Sequence, residues 1–454
     1  MSASTYSASS STTLADVLRQ RLATPPGQLW LRQAVIAVVT ALMVVVAYGS
    51  YSFYAAVTKT VGRDSVPSIV AAQQIKTTLA DAHTDIINVF LTQEKPNGPS
   101  LQAYRTSMNA AHDALLTASQ NITYGDDERR PILAMMTNLA EYDRLVGRAL
   151  ASPAYQESLT QADKLMRETI LPAASDLDQA NLRHLDSSFA AADRVNWLWV
   201  IGVLLFVTAV GGTLIETKLK LLRDYRRMIN PPIAAGLVVL VVAGLAFAIT
   251  AISLGNNIRS AKRDAFDSVH ALTQAQAVAY SANAEESLYL LAHGNSTEQA
   301  RQTDLFNAAV ALIYAPLANP SGNPKDYKGH GFLGDELANV TFAGEDKLAA
   351  AEFGSWNEYI DIDRQIRARE AAGDHAGAVA LCLGTQPHQS DWAFEKFISD
   401  LKATTQLNSD HFAASMNAAY GEVSVLFWLV WVLALAPLVG SVVGLRMRLA
   451  EYRA

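Results

Sequence analysis

Four stretches without a single charged residue constrain this chain more than any other feature. About twenty residues of helix, at 1.5 Å rise per residue, span the roughly 30 Å hydrocarbon core of a bilayer. The middle two stretches are joined by a short basic connector and predict a hairpin across the membrane. We therefore predict an all-α membrane protein with four transmembrane helices, at residues 33–58, 195–215, 233–254 and 423–445.

The distribution of Lys and Arg predicts which segments are cytoplasmic, because basic residues accumulate on that side of short loops. The tail 1–32, the connector 216–232 and the tail 446–454 carry 11 basic and 4 acidic residues in a chain of net charge −7. We predict a multi-pass protein of the cytoplasmic membrane with both termini inside. The first apolar stretch begins late and is too long for a signal peptide, which predicts a retained anchor.

The first polar block, residues 59–194, shows the 3–4 spacing of amphipathic helices. Gly/Pro-rich breaks separate four such segments, and Pro172 should bend the last. This pattern predicts an extracytoplasmic four-helix bundle. The expected core positions are Ala72, Ile75, Leu79, Ala82, Ile86 and Val89; Leu101, Tyr104, Met108, Ala111 and Leu115; Met136, Leu139, Val146 and Leu150.

The second block, residues 255–422, repeats the first when the chain is shifted by 200 residues. Arg63-Asp64 then meets Arg263-Asp264, and Gln74 meets Gln274. The shift predicts an internal duplication and a second extracytoplasmic four-helix bundle in tandem with the first. We also predict that the duplicated spans form an intramolecular pseudo-dimer in which spans one and three are neighbours. Residues 314–346 are too rich in Gly and Pro for a helix and predict a long loop at the membrane-distal end.

No motif for catalysis, phosphate binding or metal coordination is present in the sequence, so we predict no enzyme activity, no cofactor and no nucleic-acid partner. The single cysteine, Cys382, excludes an intrachain disulfide. Three tripeptides match a glycosylation sequon that is common by chance: Asn121-Ile122-Thr123, Asn295-Ser296-Thr297 and Asn339-Val340-Thr341. His330 stands between two glycines and is either a ligand or partner contact or an ordinary loop residue.

Several polar residues have two interpretations. Glu286 takes the place of Ile86 in the repeat, so it either points into the core and marks a ligand site or lies in water on a rotated stripe. Arg63, Asp64, Arg263 and Asp264 either pass bundle motion to the spans or anchor the interface. Gly440 and Gly444 form a GxxxG for close helix packing or face lipid. In the connector, acidic lipids and a docking protein compete for the basic side chains of Lys218, Lys220, Arg223, Arg226 and Arg227.

The order of span, bundle with a Pro-bent last helix, and span resembles the input half of bacterial chemoreceptors and sensor kinases. The turn from Ala371 to His375 resembles the turn into their last helix. The four spans, two outer blocks and the Arg-Asp junction are similar to the GlnX family, the membrane component of the actinobacterial glutamine-sensing system.

The resemblance implies a relay. The signal would be amino-acid occupancy of an extracytoplasmic substrate-binding lipoprotein, and the receiver a cytoplasmic serine/threonine kinase or another effector. It implies no ligand residues. Two other functions stay open: a non-sensing accessory subunit of an envelope complex, and a direct sensor of small molecules.

Overall fold

A computed structural model describes residues 24–93, 98–225, 230–318 and 323–449. All regular secondary structure in these ranges is helical, which confirms the predicted all-α class. Four helices in this part of the chain are long and apolar enough to cross a membrane, as predicted, at Pro26–Thr92, Gln156–Arg223, Pro231–Leu291 and Ser390–Met447. The chain divides into a span unit (residues 1–57, 191–256 and 418–454) and a bundle unit (58–190 and 257–417).

The first half of the bundle unit begins where α1 (Pro25–Lys59) passes through a π-helical turn, Thr60–Ser65, into α2 (Val66–Thr92). The next helices are α3 (Pro99–Gln120), α4 (Asp126–Leu150) and α5 (Gln156–Leu165). A second π turn, Met166–Ile170, leads into α6 (Leu171–Tyr225). This turn ends two residues before Pro172, which has no N–H to donate to the preceding turn of helix.

The core of the first half confirms the stripes predicted on α2 and α3, since all eleven positions are buried. On α4 the predicted stripe is wrong by one residue at two positions: Met136 and Leu150 are exposed, whereas Met135 and Ala149 are buried. Tyr142, a residue with a polar hydroxyl, is fully buried on the same face. The true stripe includes this tyrosine, whose hydroxyl has His83 Nδ1 as a partner at 3.0 Å.

The second half follows the same order with insertions. Helix α7 (Pro231–Arg259) passes through a π turn, Ser260–Phe266, into α8 (Asp267–Leu291), and α9 (Ser296–Ile313) follows. After a 3₁₀ turn (Pro324–Tyr327), the remaining helices are α10 (Phe332–Leu337), α11 (Glu345–Ala371), α12 (His375–Cys382) and α13 (Ser390–Leu449). The turn after Ala371 therefore leads first into the short α12. Cys382, at its end, is buried in the core of this half with Trp356 and Phe397.

The two halves pack against each other along α2 and α8, a contact that we call the seam. Thr84 Oγ1 donates to the Tyr280 carbonyl at 2.9 Å, and Ser287 Oγ donates to Asn88 Oδ1 at 2.7 Å. Ile87 packs between these bonds against α8. Because the halves share one compact unit, their division into two tandem extracytoplasmic bundles stays a prediction.

The segment 314–346 differs from the predicted loop in content and position. It contains the 3₁₀ turn and α10, and residues 319–322 of its Gly/Pro-rich part lie outside the described ranges. Asn339 Nδ2 donates to the carbonyl of Arg263 at 2.7 Å, at the end of the unit where the chain enters from α7. Helix α9 returns the chain to that end before the loop begins, so the membrane-distal placement is wrong.

The described contacts within the span unit form a ring. Gly49 of α1 faces Trp199 of α6. Gly244 of α7 faces Val207 of α6. The ring closes where Ser441 Oγ of α13 accepts from Gln33 Nε2 of α1 at 3.2 Å. This order places spans one and three diagonally, whereas the sequence analysis expected neighbours.

The close approach of α7 and α13 requires glycine. A Cβ on Gly440 would lie 2.8 Å from the carbonyl oxygen of Pro232 and 3.0 Å from the Cα of Gly236. Gly444 meets the same helix at Ile233. The GxxxG therefore packs against α7, the helix that contains span three, and the lipid-facing interpretation is wrong.

Candidate functional site

The π turn at Arg63 and Asp64 lines a cavity of about 500 Å³ in the first half of the bundle unit. We call it the first-half cavity. The end of α3, the turn that follows it, and α4 and α6 complete the walls. Its lining residues are Arg63, Asp64, Pro67, Ser68, Ala71, Thr117, Ala118, Asn121, Ile122, Thr123, Glu128, Ile132, Leu177 and Asn181. Its volume falls within the range usual for small-molecule sites.

Glu128 fixes the turn between α3 and α4. Its buried carboxylate accepts from the backbone N–H groups of Thr123 and Tyr124, both at 2.6 Å. The Tyr124 ring stacks on His184 of α6 at 4.0 Å, and its hydroxyl lies 2.5 Å from Ser65 Oγ in the π turn. The wall of the cavity is therefore connected to the helix that continues from α1.

Asn181 offers an unused acceptor to the cavity. Its side chain is fully buried, and its Nδ2 donates to the Leu177 carbonyl at 3.0 Å. Its Oδ1 has no hydrogen-bond partner among the described residues. A buried oxygen without a donor costs about 1–3 kcal/mol. A ligand with an N–H or O–H group would remove that cost.

The second half contains a matching turn. Asn121-Ile122-Thr123-Tyr124 recurs as Asn339-Val340-Thr341-Phe342. Glu345 Oε2 accepts from the N–H groups of Thr341 and Phe342, at 2.7 and 3.0 Å, as Glu128 does in the first half. The Phe342 ring stacks on His411 at 3.8 Å.

The last helices also match. The residues Gln179-x-Asn181-x-x-His184 on α6 recur as Gln406-x-Asn408-x-x-His411 on α13. An ungapped shift of 200 does not reveal either repeat, because it loses register where the second half carries insertions. A gapped alignment of the two halves pairs them, and the sequons at Asn121 and Asn339 belong to the repeated turn.

The two junctions differ in the role of one asparagine. Asn339 Nδ2 bridges the carbonyls of Arg263 and Asp264, at 2.7 and 3.3 Å, and Ser268 Oγ at 3.0 Å. Its counterpart Asn121 is exposed and makes no such bond in the described part of the chain. The second junction is thus closed by a side chain at the position where the first-half cavity opens.

In the π turns Thr60–Ser65 and Ser260–Phe266, the arginines are exposed and the aspartates are half-buried. Lys59 Nζ forms an ion pair with Asp64 Oδ2 at 3.2 Å. The Arg263 guanidinium lies 5.2 Å from the centre of the Phe189 ring. The relay role predicted for both pairs stays a prediction, and the geometry adds that one of them borders a cavity.

Glu286 is fully buried, so the interpretation that placed it in water is wrong. Ser390 Oγ donates to its carboxylate at 2.9 Å. Burial, and next the charge of Asp363, raise the pKa of Glu286 above its usual value. His330 is half-buried in a different place, where its carbonyl accepts from the Ala315 N–H at 2.9 Å. The structure does not bring these two residues together, and their ligand roles stay predictions.

A charged cluster at the seam was missed by the sequence analysis. His83 Nε2 lies 3.3 Å from Asp163 Oδ1, and Arg301 of the second half approaches Asp163 Oδ2 to 3.6 Å. Glu285 is buried beside them, and its Oε1 lies 3.9 Å from Arg167 Nε. Burial, and next the charge of Asp163, raise the pKa of Glu285 to about 8.

Three of the five proposed docking residues are described, all on α6. Lys220 Nζ donates to Gln28 Oε1 at 2.7 Å and lines a groove of about 370 Å³ together with Arg32 and Glu216. Lys218 is half-buried and Arg223 is exposed. Arg226 and Arg227 lie outside the described residues.

Comparison with known proteins finds a match for the first half of the bundle unit. Residues 57–190 match the family model of an actinobacterial sensor domain. No curated protein and no solved structure matches the chain. The matched segment contains every residue that lines the first-half cavity. The match therefore supports a protein of the actinobacterial sensor type.

Proposed function

We propose that this chain is a sensor of the cytoplasmic membrane that relays an extracytoplasmic signal to a cytoplasmic partner. One observation carries the proposal: the cavity of the sensor domain is bordered by the π turn at Arg63 and Asp64. That turn lies within one continuous helix, Pro26–Thr92, whose first part is a candidate span. A change in the cavity therefore acts directly on a helix that can enter the membrane.

The relay works as a shift between two packings of the π turn. π-helical turns are rare and concentrate at functional sites, because one extra residue per turn distorts the regular hydrogen bonding. A partner or ligand that binds one packing more tightly by a few kcal/mol shifts the population toward it. The duplicated junction gives the second half the same helix geometry, with Asn339 in the closing position.

The input is amino-acid occupancy of a substrate-binding lipoprotein, and the output is recruitment of a serine/threonine kinase. The resemblance to the glutamine-sensing membrane component supports this choice of partners, and the sensor-domain match supports the sensing role alone. The basic face of α6 at Lys218, Lys220 and Arg223 is the docking surface for the kinase. The recurring turn and helix motifs support an internal duplication, with the two halves as an intramolecular pseudo-dimer joined at the seam.

Nutrient-dependent association tests the proposal. The full chain is purified after crosslinking in its native membrane, with and without amino acids, and the co-purified lipoprotein and kinase are quantified. We expect association to change several-fold with nutrient state. Asp64→Asn should abolish the change, because Asp64 borders the cavity.

Asp264→Asn is the matched control, because Asp264 lies in the closed second junction. Association that is strong and independent of nutrients would instead identify an accessory subunit. Replacing Lys218, Lys220 and Arg223 together with glutamine should remove the kinase and leave membrane insertion and the lipoprotein contact intact.

Direct sensing of a small molecule is the second candidate, favoured by the unused Asn181 acceptor in the first-half cavity. It predicts a saturable rise in the Tm of the purified full chain with an amino acid and no lipoprotein. Asn181→Leu should remove that rise, because it replaces the acceptor by an apolar side chain of similar size.

A further inference from the structure

Three side chains with metal-binding atoms lie close together in the second half of the bundle unit. None of them belongs to the sequence segment that lines the first-half cavity. His293 follows α8, Glu370 lies in the last turn of α11, and His375 begins α12. One ligand atom from each lies within 4.8 Å of the other two. The sequence shows no metal motif here, because the three residues come from two separate turns.

Glu370 is the centre of this cluster. Its side chain is only 4% exposed, and its two oxygens face the two histidines separately. Oε1 lies 2.5 Å from His293 Nδ1, and Oε2 lies 2.8 Å from His375 Nδ1. Both carboxylate oxygens therefore already face ring nitrogens, and oxygen and nitrogen atoms of this kind are metal ligands.

The local backbone holds the three groups in place. Gly373 adopts φ of 83°, a left-handed conformation that favours glycine, and turns the chain between Glu370 and His375. Asp374 caps α12 by accepting from the Gly377 N–H at 3.0 Å. Gln299 Nε2 donates to Glu370 Oε1 at 3.2 Å and orients the carboxylate. Such outer partners orient the ligands of metal sites.

We propose that His293, Glu370 and His375 form a binding site for a divalent transition-metal ion of the zinc class. Imidazole nitrogens and a carboxylate oxygen are ligands that zinc prefers, and three protein ligands leave one position for water. Zinc bonds of about 2.0–2.2 Å place neighbouring ligand atoms roughly 3.3 Å apart in a tetrahedron. The present N–O separations need to open by less than about 1 Å, and the exposed His293 side chain has room to move.

One metal ion can join all three side chains of this cluster. The rings of His293 and His375 lie 4.1 Å apart, centre to centre. An ion bound between them would draw both ring nitrogens and the carboxylate to a single charge. The bound ion would tie the end of α8, the seam helix, to the turn between α11 and α12.

Metal binding to the full chain tests the site. The protein is purified in detergent on a histidine-free tag and titrated with Zn²⁺ against a chromophoric chelator, and with Co²⁺ as a spectroscopic substitute. We expect one saturable Zn²⁺ per chain and the visible bands of four-coordinate Co²⁺. His293→Ala, Glu370→Gln and His375→Ala should each weaken binding at least about tenfold, since even outer-shell changes cost 10–100-fold.

His388→Ala is the matched control. His388 Nδ1 lies 2.9 Å from Glu358 Oε1, so it also pairs with a carboxylate, but the metal-binding group contains no part of that pair. It should bind Zn²⁺ like the wild type. Equal binding by the wild type and all three site variants, or no saturable binding, would overturn the proposal.

A measurement on the wild-type chain tests the site even if the variants fail to fold. Zn²⁺ should protect His293 and His375 from diethylpyrocarbonate modification several-fold, read by mass spectrometry, while the exposed His388 stays reactive. Unchanged reactivity of His293 at saturating Zn²⁺ would equally reject the site.

Discussion

Buried carboxyl groups make the stability of the bundle unit depend on pH. Glu285 shows the direction in which the free energy of unfolding changes. Its pKa is raised from 4.5 to about 8, so the folded chain keeps the proton over a window in which the unfolded chain has lost it. The free energy of unfolding therefore falls as pH rises through that window, by up to about 1.4 kcal/mol per pH unit for this group.

Glu285→Gln should remove this contribution. We expect the variant to have a higher Tm than the wild type at about pH 9 and an equal Tm at about pH 4, where the glutamate is protonated in both states. Thermal unfolding of the full chain in detergent measures the difference. Asp304→Asn, an exposed acid on the neighbouring α9, is the control and should leave the pH profile unchanged. A variant whose Tm matches the wild type at every pH would show that Glu285 is ionised in the folded chain.

Residue types predicted the core better than the site. Apolar stripes on α2 and α3 identified buried positions because hydrophobic residues at helical spacing have few alternatives to burial. The burial of Glu286 and Glu285 was harder to predict, since burial of a carboxyl group depends on the groups that face it. Ser390 is 104 positions away from Glu286, and no local pattern connects them.

At the scale of elements, the π turns Thr60–Ser65 and Ser260–Phe266 have the same place in each half but different support. Asn339 holds the turn Ser260–Phe266 by donating to two of its carbonyl groups. The first-half cavity takes the corresponding place beside Arg63 and Asp64. The first turn is therefore the one that a bound molecule can reach.

Asn339→Ala and Asn121→Ala form a matched pair that tests this difference. Loss of the Asn339 amide leaves the carbonyl groups of Arg263 and Asp264 without that donor. A typical hydrogen bond contributes about 0.5–1.5 kcal/mol, so we expect a cost of about that size in unfolding free energy. The exposed Asn121 should cost less than about 0.5 kcal/mol when truncated. Denaturant unfolding of the full chain in detergent gives both values. Equal costs would mean that the two junctions are supported alike.

Element boundaries were predictable from breaks in the apolar pattern, but the π turns were not. A single extra residue in a helical turn leaves no mark in composition, so the continuous helix from α1 to α2 hides its own irregularity. The loop at 314–346 was misplaced for a related reason. Gly and Pro predict where along the chain a helix stops. Whether it stops at one end of the bundle unit or the other depends on how many helices precede it.

At the scale of the whole molecule, close contact between α7 and α13 closes the ring of spans. Gly440→Val should force these helices apart, because its Cβ would lie 2.8 Å from the Pro232 carbonyl oxygen. Overpacking of this kind costs about 1–3 kcal/mol or more. We expect a lower Tm and faster aggregation in detergent.

Gly212→Val is the control for that substitution. Gly212 lies in α6 with nothing within 4 Å of its added Cβ, so the same change in side chain should be tolerated. If both variants behaved like the wild type, the α7–α13 contact would not hold the spans together.

The single thiol of the chain has a practical consequence. Cys382 is buried, and burial raises the pKa of its thiol well above the usual value, so it stays protonated and unreactive toward alkylating dyes. The native cysteine therefore adds no background signal when engineered cysteines are labelled. Pairs of engineered cysteines on either side of the seam can carry fluorophores, and energy transfer between them would report opening and closing in living cells without altering the native thiol.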